Sequence, residues 1–136
     1  MRVLAIDFGG KRIGVAVGET EFDIVTPRPA LTATGTLKSD AALISQTARG
    51  EAVERIILGV PVNDEDSRME RICRKLGELI TEQGWAVDLV DEAFTSEEAD
   101  TELRTYGLKA SERRKQRDGE AARLIYQRWM FEQTNA

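Results

Sequence analysis

The sequence predicts an α/β protein in which a mixed five-stranded sheet is flanked by helices, with residues 1–136 forming one domain. Three observations predict it. Val3–Phe8 and Ile13–Val17 are short apolar runs on either side of Gly9-Gly10-Lys11-Arg12, the pattern of a hairpin. Ile56-Ile57-Leu58-Gly59-Val60 is a continuous apolar run stopped by Pro61, as expected of a strand buried on both faces. Amphipathic segments of helical period separate the later strands, so the chain begins as a meander and continues through crossover connections.

The remaining elements follow in order. A third strand is expected from Phe22 to about Leu31, where Pro27 and Pro29 limit its ladder and favour a sheet edge. A helix opened by Ser39 or Asp40 runs through Leu43, Ile44 and Ala48 and is stopped by Gly50. The buried strand spans Val53–Val60, and Asn63–Ser67 is a polar loop. The next helix aligns Met69, Ile72, Cys73, Leu76 and Ile80 and ends near Gly84, so Cys73 is expected to pack in the core. Trp85–Val90 reads as a strand ending at Asp91-Glu92. Thr95 and Glu98 form a capping box for a helix that carries Ala99 and Leu103 and fades at Gly107. A last helix is expected from about Arg113 to Phe131.

Composition narrows the chemistry. With no histidine, the chain has no imidazole base, no serine–histidine or cysteine–histidine pair and no histidine-ligated zinc. A single cysteine forms no intramolecular disulfide. No apolar stretch is long enough to span a bilayer and the start lacks a signal-peptide pattern, so a cytoplasmic protein is expected. The net charge of −5 argues mildly against binding a polyanion through bulk charge. Against that, Lys109, Arg113, Arg114, Lys115 and Arg117 form a basic stretch that contains one acid, Glu112, in front of Asp118.

Within this frame three acids are functional candidates. Asp7 shares a strand face with Val3 and Ala5, and a carboxylate on such a face needs a partner, a proton or a cation. Glu92 stands at the C-terminal tip of a strand, where ligands gather in α/β sheets. Asp118 aligns with Ala122, Ile125 and Trp129 on the apolar stripe of the last helix, whereas Glu120 aligns with Arg123 and Gln127 on the polar face. Each has an ordinary reading too: a solvated turn aspartate, a solvated strand end, and a first-turn acid paired with Arg114 or Lys115. Taken together they suit metal-assisted phosphoryl transfer, in which carboxylates hold divalent ions about 4 Å apart and no side-chain base is needed. Such ligands prefer Mg²⁺ or Mn²⁺.

Four segments, in order and at fitting spacing, resemble the YqgF/RuvX proteins, small ribonuclease H-like proteins of bacteria. They are Asp7-Phe8-Gly9-Gly10-Lys11-Arg12-Ile13-Gly14-Val15-Ala16, Ile57-Leu58-Gly59-Val60-Pro61-Val62-Asn63, Asp91-Glu92-Ala93-Phe94-Thr95-Ser96 and Asp118-Gly119-Glu120-Ala121-Ala122. The resemblance covers nearly the whole chain. It implies a ribonuclease H-like fold, Asp7, Glu92 and Asp118 as the catalytic, metal-binding acids, and a nuclease that trims the 5′ end of precursor 16S ribosomal RNA. It also implies an alternative, a Holliday-junction resolvase-like or other DNA nuclease, through similarity to RuvC. Two positions depart from the family pattern: Ala93 stands where arginine is usual and Gly10 where threonine is common. An arginine at 93 could grip a phosphate, so Lys11, Arg12, Arg113, Arg114 and Arg117 are the candidate nucleic-acid contacts here.

The expected partner is nucleic acid, RNA or else branched or single-stranded DNA, with no membrane association. A junction resolvase would act as a homodimer to cut two strands. Two other classes compete. Asp-x-Gly-Gly before a second strand also resembles the phosphate loop of sugar kinases and actin-like ATPases, which enclose a nucleotide between two lobes. A noncatalytic nucleic-acid-binding module is the third reading.

Overall fold

The computed structural model describes residues 1–62, 68–91 and 110–134, with side chains throughout except at 110–118. Five strands, β1 (Arg2–Phe8), β2 (Arg12–Glu19), β3 (Ile24–Thr32), β4 (Arg55–Val60) and β5 (Val87–Asp91), form one sheet of order β3-β2-β1-β4-β5. Three helices are described: α1 (Leu37–Gly50), α2 (Arg68–Glu82) and α3 (Ala110–Thr134). β1 pairs antiparallel with β2 and parallel with β4, and β4 is parallel to β5. The sheet is therefore mixed, and β3, with its two prolines, is an edge as expected.

Alternation along β1 divides the core. Leu4, Ile6 and Phe8 face a layer built from Ala41, Ile44 and Ala48 of α1 and Cys73, Leu76 and Ile80 of α2. Val3 and Ala5 face the opposite way, onto Ala122, Ile125, Tyr126 and Trp129 of α3. Both faces of the central strands are thus covered, which is why β4 reads as an unbroken apolar run.

Several local boundaries differ from the sequence expectation. α1 starts earlier, because Thr36 rather than Ser39 or Asp40 is its N-cap: the Thr36 Oγ1 accepts from the Ser39 N–H at 3.2 Å. Asp40 instead turns inward and accepts from both the backbone N–H and the hydroxyl of Thr34, at 2.7 and 2.8 Å. Gly50 does not stop α1 by adopting a left-handed conformation. That role falls to Ala52, at φ 56°, with Ala52 N–H donating to Arg49 O and Val53 N–H to Ala48 O. β4 starts at Arg55 rather than Val53, and β5 at Val87 rather than Trp85. Trp85 is held across the core, donating from Nε1 to Ser45 Oγ at 2.7 Å. α2 ends at Glu82, and α3 runs longer than expected at both ends. The polar loop 63–67 and the capping-box helix at 95–107 lie outside the described residues.

Ion pairs tie β1, β2 and β3 to one another and to the residue after α1. Arg2 Nη1 donates to Glu19 at 2.6 Å and its Nε to the Glu51 carbonyl at 2.6 Å. Arg28 of β3 donates from Nε to Glu51 Oε2 at 2.7 Å. The hydrogen bond from Arg28 holds the Glu51 carboxyl below the usual carboxylate range, outweighing the opposite pull of burial.

Two outcomes test these features. Replacing Ala52 by glycine relieves the left-handed strain and stabilises the fold by about 0.5–1 kcal/mol in urea denaturation. Glu51→Gln bears on pH. A carboxyl whose folded pKa is lowered contributes stability above its unfolded value of about 4.3, and loses it as pH falls through the folded pKa. The parent is therefore more stable than Glu51→Gln at pH 7, and the difference shrinks as the pH is taken below about 4, read from melting curves across that window.

Candidate functional site

Asp7 continues the alternation of Val3 and Ala5 and lies on the α3 side of the sheet, one residue before the end of β1. It is 9% exposed, a carboxylate largely withdrawn from water. Its backbone pairs with Gly14 of β2. The turn beyond it is tight: Gly9 N–H donates to Arg12 O at 3.0 Å, and Gly10, at φ +89°, takes the first central position that primed hairpin turns reserve for glycine. A Cβ on Gly9 would come within 3.1 Å of that carbonyl. The turn keeps the space over the strand tip free of bulk and presents Lys11, exposed, and Arg12, half-buried, beside it.

The register brings other strand ends to the same edge. Ile6 is level with Leu58 of β4, and Leu58 with Leu89 of β5, so β1, β4 and β5 finish together. On β5, Val90 packs on the α3 side, and Asp88 on that side accepts from Trp129 Nε1 at 2.8 Å. Asp88 also accepts from Arg55 at 2.6 Å, which commits it to a structural role at the far end of the strand.

α3 crosses this face antiparallel to β1. Tyr126 and Trp129 lie toward the strand starts, the Tyr126 ring filling the space over Gly18. Burial first, then the Asp23 carboxylate to which its hydroxyl donates at 3.3 Å, push the Tyr126 phenol up to about 12. Toward the other end, Gly119 sits against Pro27 of β3. Ala122, Ile125 and Trp129 are buried, as the stripe through position 118 requires. Glu120 lies on one face with Arg123, as their alignment predicts, and pairs with it at 2.8 Å while half-buried.

Of the expected site residues, the structure therefore describes the side chains of Asp7, Lys11 and Arg12. Residues 113, 114, 117 and 118 lie on the α3 backbone, and their side chains are outside the description. Glu92 follows Asp91, the last residue of β5, and is outside the described residues, as is Ala93. Among the described residues no three Asp, Glu, His or Cys side chains come together to hold a metal. The donor chemistry near Asp7 is nevertheless that of a hard cation: the chain has no histidine, and Cys73 is buried on the opposite side of the sheet. Sequence reading missed the role of Gly119. Its one signal was a glycine well inside a helix, where propensity disfavours it.

Comparison with known proteins places the architecture. RuvC of Thermus thermophilus, in complex with a Holliday junction substrate, superposes with a TM-score of 0.61 over 100% of this chain and 97% of RuvC, at 14% identity. A ROK family protein from Streptococcus pneumoniae, in complex with sucrose, reaches a TM-score of 0.52 over 80% of this chain but 40% of its own, at 19% identity. At such identities the likeness is one of fold, and the fold is ribonuclease H-like.

Residues 1–132 match the profile of RuvX, a family described as Holliday junction resolvase. A protein of Anaeromyxobacter dehalogenans (strain 2CP-1), named as a candidate pre-16S rRNA nuclease, is 37% identical over 135 residues, spanning 96% of each chain. The chain belongs to the RuvX family, and it is a nuclease. Among the described residues no helix is long and apolar enough to cross a membrane.

The turn beside Asp7 is testable by itself. Gly10→Ala meets no steric obstacle but must adopt a left-handed conformation, so it destabilises the protein by about 1 kcal/mol; Gly10→Asn, which tolerates that conformation, costs about half as much or less. Thermal denaturation of both variants reads the difference.

Proposed function

We propose that this chain hydrolyses phosphodiester bonds in the maturation of the 5′ end of precursor 16S ribosomal RNA, with Asp7, Glu92 and Asp118 holding Mg²⁺ or Mn²⁺. The observation that carries the reading is the buried carboxylate of Asp7 at the tip of β1, on the face that α3 covers. Two sequence registers support the other acids. Position 118 stands one helical turn before buried Ala122. Position 92 follows Asp88 and Val90 in the alternation along β5. The bound cations would acidify a water and stabilise the leaving oxygen.

In this reading the protein's part is to gather negative charge in a pocket shielded by α3 and to set the substrate against it. Lys11 and Arg12 on the hairpin turn, with Arg113, Arg114 and Arg117 on the first turns of α3, would meet the phosphates flanking the scissile bond. Local cations can do this although the net charge is −5. The reading has the protein act in the cytoplasm. The ribosomal substrate is favoured over a branched DNA because the 37% identical relative, matched along 96% of both chains, bears that name. The likeness to RuvC supports the fold alone.

Asp7→Asn keeps the fold and loses cleavage by at least about 100-fold in Mn²⁺, since losing even a supporting contact at a metal site costs 10–100-fold. Glu92→Gln and Asp118→Asn behave alike. Parent-level cleavage by Asp7→Asn removes Asp7 from the site. The purified protein, given precursor 16S RNA, single-stranded DNA and a four-way junction with Mn²⁺, is expected to cut the RNA. Symmetric paired cuts in the junction, as from a homodimer, replace the ribosomal reading with that of a resolvase. Binding without cleavage on every substrate makes it a binding module.

A further inference from the structure

We propose that Gly119 is a positioning residue: its missing Cβ sets how closely the N-terminal half of α3 seats on β3, and so fixes where the backbone of residue 118 stands relative to the sheet. This rests on the reading of Asp118 as a metal ligand.

The contact is close and has little room to give. A Cβ built on Gly119 lies 2.9 Å from the Pro27 Cβ, 3.4 Å from the Arg28 carbonyl oxygen and 3.8 Å from the Pro27 Cα. The first distance is shorter than real Cβ contacts, and the atom it meets is part of a rigid ring, not the far end of a flexible chain. Nor can β3 retreat. Pro27 is in register with Ala16 of β2, and the next residue, Arg28, is tied to Glu51 at 2.7 Å.

The helix must therefore move, and its other end is clamped. Tyr126 lies buried over Gly18, where a Cβ would come within 2.2 Å of its ring, and Trp129 donates to Asp88 at 2.8 Å. A wedge at 119 consequently tilts α3 about this clamp and lifts its N-terminal half. Residue 118 is the next residue toward that end and takes the displacement in full. Metal sites tolerate about ±0.2 Å in ligand distance, so a shift of a few tenths of an ångström is felt there before it is felt as unfolding.

Helix propensity makes the test informative. Alanine is the better helix former, so by propensity alone Gly119→Ala would not weaken α3. Mn²⁺ binding to the purified protein, measured by calorimetric titration without substrate, is the readout, with circular dichroism and melting temperature alongside. Gly119→Ala is expected to bind Mn²⁺ about tenfold more weakly with its helical content kept. Pro27→Gly removes the opposing Cβ, and Gly119→Ala/Pro27→Gly is expected to regain the affinity of Pro27→Gly alone, whatever Pro27→Gly does to the melting temperature. If Gly119→Ala fails to fold, the double variant carries the test by the same comparison.

Gly119→Ala binding as the parent does, while Asp118→Asn binds weakly, overturns the role of Gly119 and leaves the metal reading standing. Weak binding that Pro27→Gly does not relieve also overturns it. Asp118→Asn binding as the parent does removes the ligand reading itself, and this proposal with it.

Discussion

Helix α3 seats on the sheet where small residues interrupt the face beneath it. Ala5, Ala16 and Gly18 leave room for the Tyr126 ring and for the Ala121-Ala122 surface, and Gly119 lets the helix backbone meet Pro27. Burial at van der Waals distance is worth more than burial with gaps, since a void forfeits contacts that nothing replaces. The same row of residues on β1, read one step further, ends in Asp7.

The opposite face works by different means. There the larger side chains of Leu4, Ile6, Phe8, Ile56, Leu58 and Val60 pack against α1 and α2. With both faces committed, β1 has no freedom to slip in register, because a one-residue shift would turn Asp7 into the apolar layer and Ile6 toward α3. Arg2 and Glu19 pair at the opposite end of β1 and β2 from Asp7.

The ROK likeness is one of fold: the superposition engages 40% of the ROK chain and the single five-stranded sheet of this one. A shared fold leaves the chemistry to the site. Here the site offers carboxylate and no imidazole, which suits phosphoryl transfer through hard cations.

Much of the frame was legible from periodicity. The hairpin at Gly9-Gly10, the edge position of the proline-bearing strand, the buried β4, the core Cys73 and the α3 stripe through Ala122, Ile125 and Trp129 all follow from side chains repeating with the period of their own element. The candidate site was legible in part for the same reason: Asp7 shares a face with Val3 and Ala5, and that arithmetic needs only neighbours in sequence. Helix ends were less legible. Thr36 and Ser39 are both good caps, and the choice between them went to Thr36 because Asp40 was drawn inward by Thr34.

By itself, then, the chain's order of residues determined which faces are apolar, that Asp7 stands on one of them, and that no imidazole chemistry is open to it. Only the tertiary structure decided which face meets which helix, that Tyr126 fills the space over Gly18, that Trp129 and Arg55 occupy Asp88, and that Gly119 rests on Pro27. Those are contacts between residues tens of positions apart. Local propensity carries no term for them, because their strength depends on distances that exist only once the sheet has formed and the helices have settled on it.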